Sequence, residues 1–517
     1  MEQVIKHFQE LNKHPRPSNY ETEVSDFLLS FAQKNGLLNA KDSANNVIIG
    51  KAGQHCKSST PVILQAHMDM VAAADQNYNF KTNPVIPHIE GNLMTGRGSK
   101  RDEQNNTWIE TDIHTTLGAD DGIGIAIIME ILENREISHP PIVAVFTTGE
   151  EIGMLGAKQL TRDFVEKASH MDLSNAFLIN VDEEQDGHFG YGCAGGAGLT
   201  YSKQWDKPES FIKDDFEGYL FTIYGLQGGH SGIDIGTGRA NAHCLLGEIL
   251  YQISKEIPFL LFEIKGGDAE NAIPKSAKAM LGIPKTSLKA WEETVASLFH
   301  KQKELYKTVE TTMNYSLTKE ETILNGQPLS KEDQIQLLTM IHELPNDQQS
   351  YMKVEQKNPN AESTFYEVVE TSCNLGIIEI SWNAEKKKGL ILLQSSVRSF
   401  YDDKRDDLIE KLQAIAEKYH FETKAHDKYS GWTQSEDSKL RTLFEETYFE
   451  QNKTNACGGY IHAGLECGVL ENVFGHIDMI ACGPTLKDVH TPRETLYLDT
   501  VPKTYNLIAG VLKKLAK

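Results

Sequence analysis

Val4, Ile5, Phe8 and Leu11 recur at helical spacing and predict an opening helix. Val24, Phe27, Leu28 and Phe31 predict a second helix from about Glu21, with Pro15 and Pro17 between the two. The pattern then alternates. VILQAHMDMV (62–71), PIVAVFTT (141–148) and AFLINVD (176–182) are near-continuous apolar runs that read as buried strands. Gly118 to Gly124 reads as a loop opening a helix over Ile125 to Leu132. Alternating strands and helices with apolar strands of this kind predict an α/β fold with a mostly parallel sheet and helices on both faces.

Near Trp205 the chain turns polar, and a different rhythm follows. YLFTIYG (219–225) predicts a strand and 240–254 a helix. Strand 275–283 leads to a helix carrying Leu288, Trp291, Val295, Leu298 and Phe299. LGIIEISW (375–382) and LILLQSSVRSF (390–400) pair across NAEKKKG, ahead of a helix with Leu408, Leu412 and Ile415. The middle therefore suggests two copies of strand–strand–helix. The polar stretch 308–374 has no clear period and reads as a substrate-facing loop or an insertion. After Gly431 the first rhythm returns, with a helix over 435–451, CGGYIHAGLECG and a strand in VFGHIDMIACG. Chemistry-bearing residues lie on both sides of the middle. That favours a discontinuous domain, 1–205 plus 430–517, with a second domain, 206–429, inserted.

Composition narrows the functional classes. Across 517 residues, Lys plus Arg is 51 and Asp plus Glu is 73, a net charge of −22. So acidic a chain is unsuited to nucleic acid or to an anionic membrane surface, both of which call for a positive field. The most apolar run, Ile123 to Leu132, contains Glu130 and falls well short of the roughly 20 residues of a membrane span. No apolar signal segment opens the chain, and the seven cysteines are irregularly spaced. A cytoplasmic protein with reduced thiols is expected.

Five segments carry candidate chemistry, each at a predicted strand end or loop, where ligands bind in open α/β sheets. QAHMDM holds His67 and Asp69, two apart and on one side of a continued strand. One ring nitrogen of His67 could bind a metal while Asp69 orients the other. TLGADDGIG sets Asp120 and Asp121 between glycines, as suits a helix cap or a carboxylate bridging two cations. TTGEEIGMLGA brings Glu150 and Glu151, one free to ligate and the other to move protons, although acids also suit the first turn of a helix. NVDEEQDG puts Asp182 at a strand end, and GPTLKDVHTPRE offers His490. Two histidines and three acidic ligands fit a site for two divalent ions. Zinc suits imidazole and carboxylate, with manganese or cobalt as alternatives.

In that order these motifs resemble the M20 metallopeptidases. Within them the chain is most similar to the aminoacyl-histidine (Xaa-His) dipeptidases, through GYGCAGG, GLQGGHSG, NAIP, SSVRS and IHAGLECG. The resemblance spans essentially the whole chain. It implies a zinc-peptidase-like catalytic domain and an inserted α+β lid. It implies that His67, Asp120 and Asp182 bind one ion, that Asp120, Glu151 and His490 bind the other, and that Asp69 orients His67. Glu150 becomes the general base that draws a proton from a metal-activated water. On the lid, His230 would donate to the oxyanion, Asn271 would contact substrate and Arg398 would clamp its terminal carboxylate. One departure is Asp121, where many bacterial relatives carry Asn; the family holds the preceding peptide bond cis. His462 and Glu466 lie near the site, but spacing assigns them no role.

The implied activity is metal-dependent hydrolysis of dipeptides, preferring Xaa-His types, by a soluble enzyme that could form a homodimer. Another amidohydrolase activity of the same family (N-acyl-amino-acid deacylase, carboxypeptidase or tripeptidase) is the alternative. A noncatalytic binding protein on this fold is disfavoured, because the full set of ligand and base residues is intact.

Overall fold

The structure is a computed structural model that describes residues 2–206, 208–356, 364–435 and 437–517. Its first sheet contains nine strands among the described residues. At its centre Ile142–Thr147, Val62–His67, Phe177–Asn180 and Asp478–Ala481 run parallel. The flanking strands Leu38–Lys41, Val47–Lys51, His188–Cys193 and Trp432–Thr433 are antiparallel to their neighbours, and Cys457–Ile461 runs parallel to His188–Cys193. The sheet is therefore mixed, with a parallel core. Successive side chains enter opposite layers, as period two requires. Val62, Leu64 and Ala66 join one apolar core, and Ile63, Val143 and Val145 join the other. Truncating one such residue, Leu64→Ala, would cost roughly 2–5 kcal/mol.

Helix Ala119–Glu133 explains itself by composition. Twelve of its fifteen residues are buried, as expected of a helix that is apolar all round. It begins earlier than the sequence predicts, and Asp120 and Asp121 keep non-helical backbone angles within it. A similar shift occurs near the carboxyl terminus, where Val473 and Phe474 end a helix, Glu466–Phe474, and only Asp478–Ala481 is strand.

The second sheet also has nine strands among the described residues, all paired antiparallel. Its main path runs Asn314–Lys319, Phe216–Tyr224, Ala277–Pro284, Leu260–Gly266, then Thr364–Asn383, Lys388–Ser399, Gly195–Trp205, Glu422–Tyr429. The two halves repeat one order in reverse. In each, a hairpin (260–284 or 364–399) precedes a helix (Leu288–Tyr306 or Asp402–Lys418) and then an edge strand. The halves meet where Lys265 and Gly266 pair with Glu379 and Ile378. Helices Ala242–Ser254 and Lys331–Glu343 join those two over one face, burying residues such as Trp291, Leu246, Leu338 and Val397. At one end of the other face Gly196, Ser396 and Arg398 share a cavity with Glu151 and Met154. Strand Gly195–Trp205, grouped by the sequence reading with the first segment, hydrogen-bonds in this second sheet. The stretch 308–374 supplies an edge strand, a helix and the strand Asp347–Gln356; its residues 357–363 lie outside those described.

Candidate active site

The strands of the parallel core end at one rim, and the candidate ligands gather there. His67 is the last residue of its strand, Asp182 lies two residues past Asn180, and Glu150 and Glu151 follow Thr147 by three and four. His67 Nε2 is 3.0 Å from Asp120 Oδ1 and 3.5 Å from Asp182 Oδ1. His490 Nε2 is 3.1 Å from Asp120 Oδ2 and 2.9 Å from Glu151 Oε2. The two oxygens of Asp120 thus face two different histidines. The Asp120–Asp121 peptide bond is cis.

Asp69 lies beside His67 and holds more than the ring. His67 Nδ1 lies 3.1 Å from the Asp69 carbonyl oxygen, while the carboxylate is 3.6 Å away. That carboxylate instead accepts the backbone N–H groups of Glu150 (3.0 Å) and Glu151 (3.3 Å) and the Ser18 hydroxyl (2.8 Å). One residue therefore orients the histidine and pins the glutamate turn.

Further buried groups hold these loops, among them Glu494 and Arg16, which the sequence reading did not name. Glu494, four residues after His490, accepts the N–H groups of Leu117, Gly118, Ala119 and Asp120 at 2.7–3.2 Å. Arg16, 1% exposed, donates to the carbonyls of Met68 and Gly118 and so ties the His67 and Asp120 loops together. Asp121 accepts the His67 N–H at 3.2 Å. Glu466 accepts from Gln65 and Thr147 beneath the rim. The only sequence signals were an acid in HTPRE and an arginine between two prolines, and neither discloses a buried partner.

The electrostatics are those of an acid-rich pocket. Burial pushes Asp182 up to about 7 and Glu466 up to about 7, and it holds Glu150 well above the ordinary carboxylate range. Burial would depress the His67 imidazole, but Asp182 and Asp120 outweigh it and raise its pKa well above the usual value. Hydrogen bonding to Asp120 and Glu151 lifts His490 to about 11. Glu151 Oε1 is buried with no hydrogen-bond donor. Ligand atoms of His67, Asp120 and Glu151 lie within 4.8 Å of one another, as do those of His67, Asp121 and Asp182. Clustered imidazoles and carboxylates with a lone pair left over fit divalent cations better than they fit one another.

Across a cleft of ≈ 500 Å³ from Glu151 lie Arg398 of the second sheet, His230 of a separate two-stranded ladder (Gly229–His230 with Ala272–Ile273) and Asn271 just before that ladder's second strand, so all three lid candidates share one cavity with the rim. His230 Nδ1 accepts the N–H groups of Gly232 and Ile233 at 3.2 Å, and its Nε2 turns toward the cavity, 3.4 Å from Arg398 Nη2. Burial, aided by Arg398, lowers its pKa to about 4, so the ring is neutral. Arg398 Nη1 donates to the Tyr429 hydroxyl at 2.7 Å, and its Nε has no hydrogen-bond partner. His462 is buried beside them, hydrogen-bonded to Ser372 at 2.8 Å, with its pKa pushed down to about 3 by burial.

A parallel-core sheet with His and carboxylate ligands at its rim, faced by an antiparallel sheet, defines a metallopeptidase-like architecture. The chain belongs to peptidase family M20/M25/M40, whose pattern matches residues 115–514. It is 28% identical over 513 residues to the cytosol non-specific dipeptidase of Escherichia coli (strain K12), covering 98% of this chain and 96% of that protein. The crystal structure of aminoacylhistidine dipeptidase from Vibrio alginolyticus superimposes with a TM-score of 0.81 at 29% identity, covering 99% and 96% of the two chains. The aminopeptidase PepT of Bacillus cereus shares the fold at 13% identity, with a TM-score of 0.53 and coverage of 100% and 99%. Among the described residues no helix is long and apolar enough to cross a membrane.

Proposed function

We propose that the chain hydrolyses dipeptides, with Xaa-His types preferred, in the cleft between its two sheets. The observation that carries this reading is the convergence of two histidines and several carboxylates on one rim, opposite an arginine with an unused donor. Likeness to a dipeptidase along nearly the whole chain supports the substrate class. His67, Asp120 and Asp182 would hold one divalent ion and Asp120, Glu151 and His490 a second, zinc for preference or manganese or cobalt. Such ions, when bound, polarise a carbonyl and lower the pKa of water from 15.7 towards roughly 7.

The chain's own groups do the rest. Glu150, whose raised pKa suits a base working near neutrality, takes the proton of the attacking water and passes it to the leaving amine. The neutral His230 donates Nε2–H to the oxyanion, where a positioned donor is worth most. Arg398 meets the substrate's terminal carboxylate with its planar fork, and Asn271 lines the same cavity. Asp69 keeps His67 and the Glu150–Glu151 turn in register. The second sheet with its helices acts as a lid inserted into a discontinuous catalytic domain, in a cytoplasmic enzyme.

The test is a substrate panel after metal stripping and readdition: β-Ala-His, Gly-His, Leu-Leu, a tripeptide and an N-acetyl amino acid. Metal-dependent cleavage of the dipeptides, led by those ending in His, is expected. Cleavage of the acetylated compound alone would replace this reading with a deacylase.

A further inference from the structure

Past Arg398 the cleft continues over the bare face of the second sheet. Arg398 pairs across the ladder with Gly196, and Ser396 pairs with Gly198. Residues two apart on a strand share a face, so Gly198 lies one pleat, roughly 7 Å, from the arginine's row. The glycines are needed there. A Cβ on Gly196 would strike the Tyr429 ring, and one on Gly198 would strike the Glu270 carboxylate and the His426 ring.

Glu270 leans over that glycine with little to satisfy it. Among the described residues its carboxylate accepts no hydrogen bond, and Oε2 is buried without a partner. His426 Nε2 is 3.6 Å away but is already engaged, at 3.1 Å from the Thr200 hydroxyl, with Nδ1 at 2.9 Å from Asp427. Asp427 lines the same cavity. At this end of the cleft the two carboxylates share their surroundings with the His426 imidazole, with Arg398, whose charge acts on Glu270, and with the Lys158 ammonium, whose charge acts on Asp427, so Glu270 is left without a hydrogen-bonded cation of its own. Beside it stands Arg398, 7% exposed, with an unpartnered Nε.

We infer that Glu270 forms the subsite for the side chain of the substrate's C-terminal residue, and that it takes a cationic group there, the ammonium of lysine or the guanidinium of arginine. The inference rests on the dipeptidase reading above. When Arg398 holds the terminal carboxylate, a lysine or arginine side chain on the same Cα spans about one pleat, roughly 7 Å, and so reaches the row of Gly198, over which Glu270 leans. A carboxylate lacking hydrogen-bond donors gains most from a charged donor. A neutral imidazole can donate its one N–H to the same carboxylate, so histidine is accepted here as well, whereas an aliphatic side chain gains nothing from it. An acidic side chain meets Glu270 and Asp427 and ranks last.

The experiment compares kcat/KM of the metal-replete full chain on Gly-Lys, Gly-Arg, Gly-His, Gly-Leu and Gly-Asp. Ratios between substrates are read, so a general loss of activity in a variant cancels. The Gly-Lys to Gly-Leu ratio is expected to be about tenfold or more, as for one hydrogen bond to a charged group, and to be carried by KM. Glu270→Gln should bring it near one, and Glu270→Arg should put Gly-Asp above Gly-Lys. A wild-type ratio near one, or ratios that neither variant moves, would overturn the inference while leaving the dipeptidase reading intact. No turnover on any dipeptide would instead overturn that reading, and this subsite with it.

Discussion

The floor of the cleft is made of loops at the ends of parallel strands, whereas its roof is made of side chains on an antiparallel ladder. On the floor, functional groups touch one another: Asp120 faces two histidines, and Asp69 grips both His67 and the Glu150–Glu151 turn. On the roof they are fewer and looser: Arg398 Nη2 lies 3.4 Å from His230 Nε2, and Arg398 and Ser396 face Gly196 and Gly198 across the ladder. The floor is thus built to concentrate charge and the roof to measure a ligand. Damage to the floor should remove chemistry, while damage to the roof should alter which substrate is held.

The largest effect is expected at Asp120. Asp120→Ala removes the one carboxylate shared by both histidines, so both ions should be lost and turnover should fall to background. Elemental analysis of the purified variant checks this, and retention of two ions per chain would break the assignment of a shared ligand. Glu150→Gln should lower kcat by about 10²–10⁴-fold with metal content near wild type. Loss of metal in that variant would turn the base into a ligand.

Arg398→Ala tests the roof. KM for dipeptides should rise by roughly tenfold to a hundredfold, as for one or two hydrogen bonds to a charged group. C-terminally amidated dipeptides should lose far less. Equal losses on acid and amide would deny the arginine its carboxylate.

The smallest effect lies beneath the floor, at Lys51. Its ammonium donates to the carbonyls of Ile131 and Asn134 at the end of helix Ala119–Glu133, whose first turn carries Asp120. Burial lowers its pKa from the ordinary 10.5 to about 8. Between those values the unfolded chain keeps a proton that the folded chain releases, so stability gains from this group as pH rises from about 8 to about 10.5. Lys51→Met should flatten that part of a denaturant-midpoint profile and leave kcat unchanged. An identical slope in both proteins would remove Lys51 as its source.

The same contrast explains what could be read from the sequence. His67, Asp120, Glu150, Glu151, Asp182 and His490 sit in short motifs beside glycines and strand ends, so residue type and local pattern expose them. Glu494 and Arg16 are equally close to the floor, but their work is done through backbone N–H and carbonyl groups, which leave no pattern in side-chain identity. Register hid the roof as well. The sequence reading closes the first segment at 205, and only the pairing of Gly195–Trp205 with Lys388–Ser399 assigns that strand to the second sheet. Glu270 gains meaning only because Gly198 lies beneath it. The repeated strand–strand–helix pattern was visible, but its mirrored order across one continuous sheet follows from long-range pairing alone.

That mirrored sheet has a consequence for how the cleft responds to dilution. His230 and Asn271 come from the first half of the repeat and Arg398 from the second, yet both halves belong to one polypeptide. The stoichiometry of the proposed oxyanion donor to the proposed carboxylate clamp is fixed at one to one by covalent linkage. Their encounter is unimolecular, so no lowering of protein concentration can separate them.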